Sequence, residues 1–179
     1  MASTTAAGTA FAISATTPAS QDAAGYGALT FVEIGQVEKL GTIGAAFAKV
    51  EFQPLKGPKQ KQKGSADFGS LQPSMAFDAD DAGQSLLRAA ADDGSSKLYS
   101  FRVTFPTGAI RYFLGRVFGA PENVDGADSI IMSMPTVEIN SRVVPIDAGG
   151  GTGPSIPANA LFLNNDSLTL GGDVLTLGA

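Results

Sequence analysis

The sequence predicts a mainly β fold of the β-sandwich or barrel type, carrying one α-helix, an extended N-terminal arm and a long inter-strand loop. Three observations carry the prediction. The 22 glycines and 10 prolines suit short strands joined by tight turns. The central residues favour β-branched and aromatic types, which fit a pleated, half-buried surface. Apolar residues make up 44% of the chain against 16% charged, enough to fill a core and too apolar for wholesale disorder. At 179 residues, one globular domain with terminal extensions is expected: an arm (1–25), a β domain (26–147) and a glycine-linked tail (148–179).

The arm is rich in alanine, threonine and glycine, and Phe11 and Ile13 are its only sizeable apolar side chains. Alone it buries too little surface to offset its ordering entropy, so it is expected to be either flexible or ordered by a neighbouring subunit. The β-prone, uncharged run from Thr9 to Thr16 could pair with an exposed strand edge. The globular part opens near Thr30. Residues 31–37 (FVEIGQV) read as a strand, Gly41 and Gly44 punctuate a turn, and Phe47, Val50 and Phe52 mark a second strand.

From Pro54 to Ser65 the chain is polar, has no apolar period and carries Lys56, Lys59, Lys61 and Lys63; it reads as a long solvated loop. Phe68 to Phe77 resumes β patterning, with Pro73 requiring an edge position or a bulge. Residues 78–91 form the single predicted helix. Asp78 or Asp80 caps it, Ala82, Leu86 and Ala90 form the buried stripe beside Leu87, and Gly94 ends it.

Residues 97–105 alternate cleanly, with Tyr99, Phe101, Val103 and Phe105 on one face. After the turn at Pro106-Thr107-Gly108 the return strand places Ile110, Tyr112 and Leu114 on one side and Arg111, Phe113 and Val117 on the other. Bulk on both faces predicts burial against a second sheet or a partner subunit. Residues 121–128 read as an acidic loop and 129–139 as the last core strand. Beyond Val144 the alternation lapses into the glycine run at 149–153. The tail holds a small duplication, LTLG at 168–171 and 175–178.

The chain has neither cysteine nor histidine, so disulfides, thiolate metal sites and imidazole chemistry are excluded. The formal charge of −5 argues against a protein whose task is to hold nucleic acid by its phosphates. The N-terminus lacks the positive region of a secretory signal and no stretch reaches the roughly 20 apolar residues of a membrane helix, so a soluble, intracellularly made protein is expected. The run Asp78–Gly83 superficially matches a calcium loop, but Ala82 and Ala89 stand at its fifth and twelfth positions; helix capping explains the aspartates better. The glycine run lacks the lysine and hydroxyl of a phosphate loop, the sequon at Asn165-Asp166-Ser167 is three residues of low specificity, and no carboxylate pair is singled out for glycoside hydrolysis. No catalytic residue, metal or cofactor is expected. The four lysines read as a weak nucleic-acid patch, as a solvated loop, or as a loop meeting acidic surface on a neighbouring subunit.

Several segments, in this order, resemble the tail tube proteins of lambda-like siphophages. They are TPAS (17–20), FVEIGQV (31–37), KGSAD (63–67), DAGQSLL (81–87), YSFRVTFPTG (99–108), YFLGRV (112–117) and TVEIN (136–140), spread over residues 9–147. The chain departs from lambda's own tail tube protein where a C-terminal immunoglobulin-like domain would stand, having a short glycine-linked tail there instead. The resemblance implies a tail tube fold, assembly into hexameric rings stacked around a tape measure protein, contact with tail terminator and baseplate or tail-tip proteins, and passage of dsDNA without specific binding. It places the protein in the virion tail, made in the host cytoplasm. With it comes the expectation that Phe11, Ile13, Lys56, Lys59, Lys61 and Lys63 touch neighbouring rings. An inner-tube protein of a contractile tail or secretion system, and a non-viral β-sandwich adhesion module, are the rival readings.

Overall fold

The computed structural model describes residues 3–148 and the backbone of 161–164, 167–170 and 173–175. The glycine run at 149–153, the sequon's Asn165 and Asp166, and much of the duplicated tail lie outside the described residues.

The fold is mainly β, and every strand pair is antiparallel. In chain order the elements are β1 (Ala10–Ser14), α1 (Ala23–Gly27), β2 (Val32–Ile34), β3 (Val37–Lys39), β4 (Ala46–Phe52), β5 (Gln60–Asp67), β6 (Ser70–Leu71), β7 (Ser74–Ala76), α2 (Ala82–Asp92), β8 (Tyr99–Thr104), β9 (Ile110–Gly119), β10 (Glu122–Asn123), β11 (Met132–Ser133), β12 (Thr136–Ile139) and β13 (Val144–Ile146). In the tail, β14 (Leu161–Asn164), β15 (Ser167–Leu170) and β16 (Asp173–Leu175) pair with one another. A large sheet runs β2-β1-β8-β9-β12-β6, with β13 also beside β9, and a smaller one runs β10-β11-β7-β3.

The alternating hairpin predicted at 97–118 is the centre of the large sheet. Phe101 pairs with Phe113 across β8 and β9, their rings stacked at 5.4 Å, and Phe11 of β1 stacks on Phe101 at 5.8 Å. This three-ring ladder enters the main core with Ile13, Val103, Val117 and Val137. Leu87 and Ala90 of α2 and Met75 of the smaller sheet enter the same core. The opposite face of β9 is covered too: Tyr26 of α1 is fully buried and stacks on Tyr112 at 5.0 Å, with Leu114 beside them. Both faces of the hairpin, partitioned as the alternation predicts, are therefore satisfied within the chain.

The arm is where expectation and structure part. β1 sits between β2 and β8, with Phe11 and Ile13 at 1% and 0% exposure, so it is a core strand of its own domain. Local composition could not reveal this, because the strand's order comes from two long-range neighbours. The arm also holds a second helix, α1, where one helix was expected in all; the Asp22 carboxylate caps it by accepting from the Gly25 N–H at 2.7 Å.

The strand expected at 31–37 is two strands in different sheets. The Asp81 carboxylate accepts from the Gly35 N–H at 3.0 Å and Gln36 takes a left-handed φ of 58°, which turns the chain out of one sheet into the other. At Pro73 the chain crosses between the sheets from β6 to β7, and at Pro135 it crosses back from β11 to β12; proline cannot extend a ladder, so it stands at these breaks. Beyond Val144 the chain is again a strand, β13, paired with β9.

Helix α2 is capped by Asp81, not Asp78 or Asp80, its Oδ1 accepting from the Gln84 N–H at 2.7 Å, and it ends at Asp93. Its buried residues are Gly83, Gln84, Leu87 and Ala90, a stripe one position round from the predicted one. The cause is Gly83, where an added Cβ would fall 2.1 Å from the Glu33 carbonyl oxygen: only glycine lets the helix start press against β2. Gln84, 1% exposed, donates to the carbonyls of Gly35 (3.2 Å) and Ala76 (2.9 Å) and accepts from the Asp78 N–H (3.0 Å), tying the helix to both sheets.

Two expectations follow. Deleting residues 1–16 removes a central strand, so the truncated protein should be unfolded or aggregated by circular dichroism, and Phe11→Ala should cost about 3–5 kcal/mol in urea unfolding. Gln84→Leu removes partners from three backbone groups, and Gly83→Ala forces backbone to shift; each should lower stability by at least about 2 kcal/mol in the same measurement.

Candidate functional site

Residues 46–67 form a feature unlike the rest of the chain. β4 and β5 pair only with each other, and every residue from Phe47 to Asp67 is exposed except Pro54 and Gly64, which are intermediate. The second half of the expected loop of 54–65 is thus the second strand of a hairpin, whose tip is residues 53–59. The strand was hidden because lysine and glutamine alternate there with no apolar period to read.

The register sorts the side chains, since directly opposed residues share a face. Lys49 stands opposite Lys63 and Glu51 opposite Lys61, while Val50 stands opposite Gln62 and Phe52 opposite Gln60. A register shift between Phe47 and Lys49 brings the Phe47 ring beneath the Lys63 ammonium, 4.8 Å from its centroid. One face is therefore cationic and the other neutral, with Val50 and Phe52 exposed on it. Leu55 and Lys56 occupy the tip. Glu51 bonds Lys49 at 2.7 Å and also pairs with Lys59. These contacts, Lys49 first, hold the Glu51 carboxyl below its ordinary 4.5.

Of the expected contact residues, the structure places Lys61 and Lys63 on β5 and Lys56 and Lys59 in the tip that precedes it. Phe11 and Ile13 are buried in the core of their own chain. What sequence reasoning missed is the exposure of Phe47, Val50 and Phe52, read simply as a second strand, which stand 51–60% exposed.

Among the described residues, no group of three or more His, Cys, Asp or Glu side chains is placed to hold a metal ion. In the run once compared with a calcium loop, Asp78 accepts from the Asp80 N–H and Asp81 caps the helix. An open groove lined by Val37, Leu40, Ile43 and Phe105 is apolar and carries only Glu38 and Lys39 as charged neighbours. No described helix is long and apolar enough to cross a membrane.

No protein family and no curated protein matches the sequence. Among solved structures, the fold is similar to that of the PVC sheath/tube terminator of an extracellular contractile injection system, in its extended state. The TM-score is 0.57 at 8% identity, over 81% of this chain and 97% of that one. The likeness is one of fold.

The Glu51 geometry has a direct test. In an NMR titration its midpoint should lie below 4.5, and Lys49→Ala should move it upward. The ion pair favours the ordered hairpin above the ordinary carboxyl range and is lost as pH falls through the lowered midpoint.

Proposed function

We propose that this chain is a structural, non-enzymatic subunit of a phage-type tail, whose copies close into hexameric rings that stack into the tail tube. On this reading it works in the virion tail, around a tape measure protein, between terminator and baseplate or tail-tip proteins, and the genome passes through its lumen.

The observation that carries the reading is the unpartnered hairpin. A two-stranded hairpin is marginal alone in water, and Phe47, Val50, Phe52 and Leu55 expose apolar surface that its own domain leaves uncovered. A contact in which one segment docks on a different surface of the next copy generates rings or filaments by repetition. The centre of the β8–β9 hairpin needs no partner, since Phe101 and Phe113 on one face and Tyr112 and Leu114 on the other are covered from within. The charge fits as well. Five lysines lie on the hairpin of a chain with net charge −5, which leaves the body acidic and repellent to the phosphates of passing DNA.

The fold likeness to a sheath/tube terminator of a contractile system favours a second reading about equally: an inner-tube or terminal-ring subunit of a contractile tail. Electron microscopy of the purified protein separates a tube subunit, of either kind of tail, from a terminal ring. Tubes or stacked rings are expected for a tube subunit and single rings for a terminator, while a monodisperse monomer at high concentration defeats both. The variant Phe47→Ser/Val50→Ser/Phe52→Ser should remain folded and stop assembling. Hairpin amides that exchange quickly in the monomer should become protected in the assembly.

A further inference from the structure

The nine large hydrophobic side chains that stand exposed among the described residues fall into two segments only. Four belong to the hairpin. The other five, Phe118, Val124, Ile130, Ile131 and Met134, lie between the end of β9 and the start of β12, at 41–71% exposure. This second segment carries Glu122, Asp125 and Asp128, all exposed, and has no lysine or arginine from Val117 to Ser141. The hairpin offers the reverse, five lysines against Glu51 and Asp67. Each patch thus combines uncovered apolar surface with charge of one sign, and the signs are opposite.

Backbone geometry agrees. β10 pairs only with β11 and so ends its sheet, while β4 and β5 pair only with each other. Both patches present strand edges with unpaired donors and acceptors.

We infer that the acidic segment 118–134 is the surface on a second copy of this chain that receives the β4–β5 hairpin; the inference rests on the self-assembly reading and names its acceptor. Val124, Ile130 and Ile131 cover the hairpin's apolar side chains, and Glu122, Asp125 and Asp128 meet Lys59, Lys61 and Lys63. Because donor and acceptor are different surfaces of one chain, the contact repeats head to tail. Opposite charge fixes the partner and register, and salt weakens it.

Charge reversal tests the pairing. One variant carries Glu122→Lys, Asp125→Lys and Asp128→Lys; another carries Lys59→Glu, Lys61→Glu and Lys63→Glu. All six positions are exposed and outside the core, so the body of both variants should fold as wild type by circular dichroism. Alone, each opposes like charges and should raise the concentration needed for assembly, read by sedimentation and electron microscopy, by at least about tenfold. Mixed in equal amounts, each variant's hairpin meets a complementary acceptor on the other, and assembly should return with the two chains alternating. An acceptor variant that assembles as wild type does, or a mixture that stays unassembled, overturns the pairing while wild-type assembly and the hairpin's role stand. Wild-type protein that never assembles overturns the pairing together with the reading it rests on.

Discussion

The structure depends first on β1 being held between β2 and β8. Phe11 continues the ring ladder begun by Phe101 and Phe113, and Ile13 lies opposite Phe101 on one side and Val32 on the other. Without this strand β2 loses its only ladder partner in the sheet, and the start of α2, pressed against β2 through Gly83, loses its seat. Aromatic stacking contributes roughly 0.5–1.5 kcal/mol per pair beyond simple burial, and full burial of a phenylalanine about 1.5–3 kcal/mol. A segment poor in apolar residues therefore governs a large share of the core.

That arrangement explains which parts of the fold were legible in sequence. The β8–β9 hairpin was, including the residues of each face, because its alternation is local and unbroken. Helix α2 was, because its aspartates and alanines act locally; its cap and stripe were off by a step, because Glu33 and Gly35, distant in sequence, decide how Asp81 and Gly83 are used. The break at Gln36 was invisible, being made by the Asp81 carboxylate. β1 was legible as a β-prone run able to join a strand edge, but not its burial between β2 and β8, because those partners are distant in sequence. Of the candidate surface, the lysines stood out by charge, but the strand they ride on did not. Neither did the exposure of Phe47, Val50 and Phe52, since an apolar alternation reads alike whether a core or a second molecule covers it.

The molecule is thereby divided into a body whose large apolar side chains are mostly covered from within and two segments whose large apolar side chains are not. Gln84 shows how complete the first part is, its carboxamide bonded at three points to backbone from elements around it. Glu51 shows the contrary on the hairpin: even its ion pairs with Lys49 and Lys59 are made in the open, where water weakens them.

The crossing at Pro135 has a mechanical consequence. Segment 118–134 leaves the large sheet from β9 and returns to it as β12, and these two strands are themselves paired. A pull along the strand direction is carried by both strands at once, loading β9 against β8, where six residue pairs are opposed, and β12 against β6. The anchorage is suited to traction along the strands.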